Sequence, residues 1–205
     1  YFLIFLTFQL KKFVYSDFEN TNKASVITSE NRIVSNENTS ILVDSSMNIY
    51  MFGYSDEKEK DNFNNIVVKF EQIPSETTDK TISFNLLEQL NYDFNKDNEK
   101  TTLSTIDGNN NMYLVGSIRD KTTKDSDMSL LKISQPSGVM TVTSSYTITN
   151  TSRLNENATC IVLDNNDPPN VYIGGYSNVD TPEILDSSLP IIYKLSQDIA
   201  NNTFT

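Results

Sequence analysis

Short apolar runs separated by polar turns recur along this chain, and three groups of them align. Ile41–Ser55 reads ILVDSSMNIYMFGYS and is followed by IVVKF at Ile66–Phe70. Ser104–Ile118 reads STIDGNNNMYLVGSI and is followed by SLLKI at Ser129–Ile133. Ile161–Ser177 reads IVLDNNDPPNVYIGGYS and is followed by IIYKL at Ile191–Leu195. The shared skeleton is an apolar triplet, Asp, a polar turn, Tyr, two apolar or small residues, Gly, a polar loop, two apolar residues, Lys and a final apolar residue. Its anchors are Asp44, Tyr50, Gly53 and Lys69, then Asp107, Tyr113, Gly116 and Lys132, then Asp164, Tyr172, Gly175 and Lys194. Tyr precedes Gly by three residues in every unit, and length varies only in the polar stretches, as it does in loops between strands.

Each unit reads as strand, hairpin, strand, loop, strand. A fourth strand follows in two of them: VMTVTSSYTI (Val139–Ile148), after the turn Gln135, Pro136, Ser137, Gly138, and TISFNL (Thr81–Leu86). Pro with Gly two residues later is strong turn chemistry. The third unit stops where this strand is due. The second strands are apolar on both faces (Ile49–Phe52, Met112–Val115, Val171–Ile173), so they need cover on both sides. Four strands per repeat of about 60 residues, with no helix between them, predict an all-β fold of stacked four-stranded sheets, a β-propeller fragment of about three blades. The tyrosines are expected between sheets with their hydroxyls at a polar edge. The glycines are expected to end the inner strands, where the chain crowds near a central axis. Leu86–Lys100 is the least legible stretch, and NLLEQLNY (Asn85–Tyr92) allows a short helix.

These segments resemble a known family. DGNNNMYLVGS (Asp107–Ser117) followed by DSDMSLLKIS (Asp125–Ser134) is similar to the bacterial seven-bladed β-propeller repeat of the SBBP type, over roughly residues 41–195. NVYIGGYS (Asn170–Ser177) also resembles a kelch blade through Gly174 and Gly175, but kelch blades usually carry a Trp after the third strand and this chain has none. The resemblance implies a closed ring of blades and a recognition role, with no catalytic residues. Closed propellers have at least four blades, so three units predict either a fragment of a longer chain or assembly with another copy.

The chain divides into residues 1–16, 17–40 and 41–205, the last into units 41–100, 101–158 and 159–205. The first stretch begins YFLIFLTF, too short for a membrane span and apolar enough for a signal-peptide core. Val14 and Ser16 fit cleavage before Asp17. An uncleaved anchor or a buried strand are the alternatives. Within 17–40, SVIT and RIVS (between Ala24 and Ser35) are β-like, and one is a candidate ring-closing strand. Four Asn-x-Ser/Thr sequons, at Asn38, Asn150, Asn157 and Asn201, fit a secreted or cell-surface glycoprotein. Glycan is expected on Asn150 or Asn157.

Composition then narrows the chemistry. The net charge of −11 leaves no basic cluster for nucleic acid or an anionic membrane. The chain has no histidine, which removes His-based acid–base catalysis and most zinc sites. Its one cysteine, Cys160, lies in a β-like run and reads as a buried inert thiol; a reactive thiol or pairing with another chain are the alternatives. The turns DSSMN, DGNNN and DNNDPPN are rich in oxygen ligands, but they lack the carboxylate spacing of a calcium loop, and Asp and Asn also brace hairpins. No cofactor or metal is expected. The Asp anchors recur once per unit, as structural residues do. The expected function is non-enzymatic recognition of a protein or glycan. The alternative is the propeller portion of an exported enzyme acting on polysaccharide.

Overall fold

The computed structural model describes residues 37–56, 63–73, 83–93, 98–119, 125–149, 154–181, 184–198 and 203–205. The expectations placed on residues 1–16 and on SVIT and RIVS fall outside them. Among the described residues every regular element is a strand. The first sheet is β1 (Glu37–Val43), β2 (Ile49–Asp56), β3 (Phe63–Ile73) and β4 (Ser83–Tyr92). The second is β5 (Asn98–Ile106), β6 (Met112–Arg119), β7 (Ser126–Ser134) and β8 (Thr141–Ile148). The third is β9 (Leu154–Leu163), β10 (Val171–Thr181) and β11 (Ile184–Leu195), followed by a ribbon of β12 (Gln197–Asp198) and β13 (Thr203–Phe204). Within each sheet the strands pair antiparallel in chain order. The fold is thus all-β, built on four-stranded antiparallel sheets, one per repeat, with three strands in the third.

The two-faced apolarity of the second strands is satisfied by stacking. Tyr50, Phe52 and Val67 of the first sheet meet Met112, Leu114, Leu131 and Ile133 of the second. Because strand side chains alternate, the next residues along β6 and β7 point the other way. Tyr113, Val115, Met128 and Leu130 meet Val171, Ile173, Ile191 and Leu195 of the third sheet. On the first sheet's far face, Ile49, Met51, Ile66, Val68 and Phe70 form another apolar cluster. In the third unit β11 is followed by the β12–β13 ribbon, which places Phe204 in the core shared with the second sheet.

Four expectations are corrected. NLLEQLNY is strand β4, paired along β3, and its exposure alternates residue by residue from Phe84 to Tyr92. The pairing edge of β3 overrides a local apolar spacing compatible with a helix. The first unit's sheet begins at Glu37, inside the stretch read as a leader. Cys160 is exposed, because it stands opposite Gly174 on the outer face of the third sheet. The anchor glycines lie within β2, β6 and β10, not at their ends. In each sheet the first strand has a register shift beside the glycine: Asn38/Ser40 beside Gly53, Thr101/Leu103 beside Gly116, and Ala158/Cys160 beside Gly175. The bulge drives a carbonyl into the space of the missing side chain. A Cβ on Gly116 would stand 2.0 Å from the Lys100 oxygen, and one on Gly175 would stand 2.0 Å from the Asn157 oxygen.

Candidate functional site

The most ordered polar geometry lies at the β1–β2, β5–β6 and β9–β10 hairpins. Asp44 closes the first. Its Oδ1 accepts the backbone N–H groups of Ser46 (2.8 Å) and Asn48 (2.9 Å), and its Oδ2 accepts Asn48 Nδ2 (2.8 Å) and the Tyr50 hydroxyl (2.7 Å). Asp107 does the same with Asn109, Asn111 and Tyr113. Both turns place their fourth residue at positive φ: Met47 at 65° and Asn110 at 61°. Asn tolerates that conformation; Met seldom adopts it. In the longer third hairpin Asp164 Oδ2 accepts Asn166 Nδ2 (2.7 Å) and Asn170 Nδ2 (2.6 Å). Asn166 thereby takes the place that the tyrosine hydroxyl has in the other units. These carboxylates are occupied by N–H and O–H donors, and among the described residues no three His, Cys, Asp or Glu side chains group to hold a metal ion.

The electrostatics follow from this geometry. Burial pushes the Asp44 carboxyl up, but the hydrogen bonds from Asn48, Tyr50 and Ser46 outweigh it and leave the group below its ordinary value. Asp164 is likewise held low, chiefly by the Asn170 side chain. Tyr50 and Tyr113 are pushed well above the usual phenol range, first by burial and then by the adjacent Asp44 and Asp107. Burial lowers Lys132, against the opposing charges of Asp107 and Asp167.

The anchor Tyr and Lys face each other across the β2–β3 and β6–β7 pairs. Lys69 Nζ lies 5.7 Å from the Tyr50 ring centre, and Lys132 Nζ lies 5.6 Å from that of Tyr113. Each pair is capped by the next unit. Gln135 Oε1 accepts Lys69 Nζ (2.8 Å) and lies 3.0 Å from the Tyr50 hydroxyl, whose one proton is shared with the nearer Asp44 Oδ2, and Gln197 Oε1 accepts Lys132 Nζ (2.8 Å). Further inter-sheet bonds run from Met140 N to the Glu88 carboxylate (3.0 Å to each oxygen) and from Asn65 Nδ2 to Glu99 (3.1 Å).

The hairpin tips are joined edge to edge. Ser45 N and Oγ donate to Asn110 Oδ1 (3.3 Å each), and Asn110 Nδ2 donates to Ser45 Oγ (3.0 Å). Asn109 Nδ2 donates to Asp167 Oδ1 (3.3 Å). The result is one ridge of amide, hydroxyl and carboxylate groups crossing all three units, with exposed Met47 beside it.

The sequons are placed apart. Asn38 lies on β1 opposite Gly53, and Asn157 lies on β9 opposite Tyr176. Asn157 is half-buried, with Nδ2 donating to the Asn155 carbonyl (3.3 Å). Asn150 and Asn201 fall outside the described residues. Two recurrent positions were missed in the sequence. One is the Asn two residues before each anchor Tyr (Asn48, Asn111, Asn170); the other is the Gln three residues after each anchor Lys (Gln72, Gln135, Gln197). Their fixed offsets were the available signal. Compared with family models, curated proteins and solved structures, the chain finds no match.

Proposed function

We propose that the chain is a repeat stack of a secreted or cell-surface β-propeller, and that it recognises a protein or glycan partner through the ridge of hairpin tips without catalysing a reaction. The ridge is the observation that carries this reading. In the first two units the anchor Asp, Tyr and Lys side chains bond one another or Gln135 and Gln197 of the following unit, so they hold the scaffold together. The tips keep hydrogen-bonding capacity at the surface: Ser45, Asn109 and Asp167 are exposed and Asn110 half-exposed, and each amide has more donor and acceptor sites than the inter-tip bonds use. A rigid scaffold presenting such loops is the usual arrangement of a recognition surface.

Panels of immobilised glycans and extracellular proteins test the proposal. Binding to a member of either panel is expected, with at least a tenfold loss for Asn109→Ala combined with Ser45→Ala. Full binding by that variant would move the site away from the tips. Release of reducing ends from polysaccharide would sink the non-enzymatic reading.

A further inference from the structure

We infer that the open edge of β11 is a docking site for an extended segment of a partner protein, which joins the third sheet there as an antiparallel strand. The inference does not rest on the ridge of hairpin tips. In the other two sheets the third strand is paired on both sides: β3 lies between β2 and β4, and β7 between β6 and β8. β11 pairs with β10, and among the described residues no strand runs along its other edge. Just past its end Ser196 and Thr205 exchange two backbone bonds of 2.9 Å, as Ser134 pairs with Thr141 where β8 begins. Phe204 is buried at 2 %, as Met140 is at 3 % in the matching place. Thr205 thus marks on β11 the point from which β8 runs along β7.

The Ser196 pair also fixes which groups are open. Backbone groups alternate between the two edges of a strand, so Lys194 and Ile192 direct their N–H and C=O away from β10. The Thr159 hydroxyl gives the same phase: it donates to the Gly174 carbonyl on the β9 side, which leaves Gly175 bonding Ile191 on the other. Pro190 comes next on the open edge and has no N–H there, so it ends the pairing without loss to β10. Such a row of backbone donors and acceptors is a template for one more strand. The first two sheets show what suits it. Opposite the anchor Lys stand Glu88 and Ser144, and opposite the apolar residue two places before that Lys stand Leu90 and Tyr146. Directly opposed residues share a face, and Lys194 and Ile192 are both exposed. The incoming strand therefore carries a carboxylate opposite Lys194 and, two residues later, a large apolar side chain opposite Ile192. The β4 segment Leu86–Tyr92, LLEQLNY, has this pattern. β4 and β8 are themselves paired in their own sheets, so the occupant comes from a different protein.

Fluorescence anisotropy of the whole chain with a labelled LLEQLNY peptide tests the site. Saturable binding below about 1 mM is expected. N-methylation of the peptide at Glu88 or Leu90, whose amides point at β11, is expected to abolish it. N-methylation at Gln89, whose amide points away, is expected to leave it unchanged. Glu88→Lys in the peptide should weaken binding about tenfold, and Lys194→Glu in the chain should recover that loss while weakening the original peptide. Lys194 is exposed, so this variant should keep its circular dichroism. Absence of binding overturns the inference. So does binding indifferent to the position of the N-methyl group, since the peptide then lies on the apolar outer face and not along the edge.

Discussion

At the scale of single residues, the same three letters do different work according to what reaches them. The Tyr50 hydroxyl lies between Asp44 and Gln135 at 2.7 and 3.0 Å. Among the described residues Tyr172 has no such partner, because Asn166 fills its place on Asp164. Tyr50→Phe is therefore expected to lower unfolding free energy by about 1.5–3 kcal/mol, the range for a buried bond to a charged acceptor. Tyr172→Phe should stay within about 0.5 kcal/mol; equal losses in urea denaturation would contradict the assignment. Protonation follows the same contacts. Asp44 sits below its ordinary value of 3.8, so its contribution is present above that pH and is lost as pH falls through the lower folded value. Tyr50 and Tyr113 are raised above the ordinary 10.0. Their contribution is complete below about pH 10 and is lost as pH rises towards the folded value. Phenolate absorbance should show these two ionising only as the far-ultraviolet circular dichroism collapses. Reversible ionisation of every tyrosine near pH 10 in a folded chain would refute this.

At the scale of elements, the repeated glycine is a property of the neighbouring strand. Gly116 is required by the bulge at Thr101/Leu103, whose Lys100 carbonyl occupies the place of a Cβ. Gly116→Ala should cost about 3 kcal/mol or more, since backbone must yield. Gly108, in the hairpin of the same sheet, has nothing within 4 Å of the point where a methyl group would stand, and no positive φ. Gly108→Ala should be neutral or stabilising by a few tenths of a kcal/mol. Thermal unfolding of the two variants compares them directly. This also explains what the chain's pattern showed and what it concealed. The hairpins and the first three strands of each unit were legible because alternation and turn residues are local signals. The reason for the glycines was not, because the bulge opposite each one lies on another strand. Strand β4 was obscured by Leu86, Leu87 and Leu90, whose spacing suits a helix until β3 supplies a pairing edge. The side of Cys160 could not be read either, since in the run Thr159–Leu163 a shift of one residue exchanges the faces.

At the scale of the whole molecule, the first sheet packs on the second and the second on the third among the described residues. Stability in such a stack is a sum of terms within units and terms between adjacent units. The glutamine clasps within it have a direction: the acceptor belongs to the later unit and the donor to the earlier one. Gln135 illustrates it, reaching back from the end of the second sheet to Lys69 and Tyr50. The stack was readable from three aligned repeats, but this clasp was not, since a Gln-bearing polar turn gives no sign of which unit it will touch. Gln135→Ala removes the acceptor of the Lys69 ammonium, while the Tyr50 hydroxyl keeps Asp44, at a cost of about 2 kcal/mol. Because the loss falls on the junction of the first and second sheets, it should not be spread evenly. Hydrogen exchange in β1–β4 is expected to speed up about tenfold or more, while β9–β11, behind the intact Lys132–Gln197 clasp, change less than about twofold. A uniform rise across all three sheets would mean that they unfold as one cooperative block, and the between-unit clasps would then have no separate energetic role.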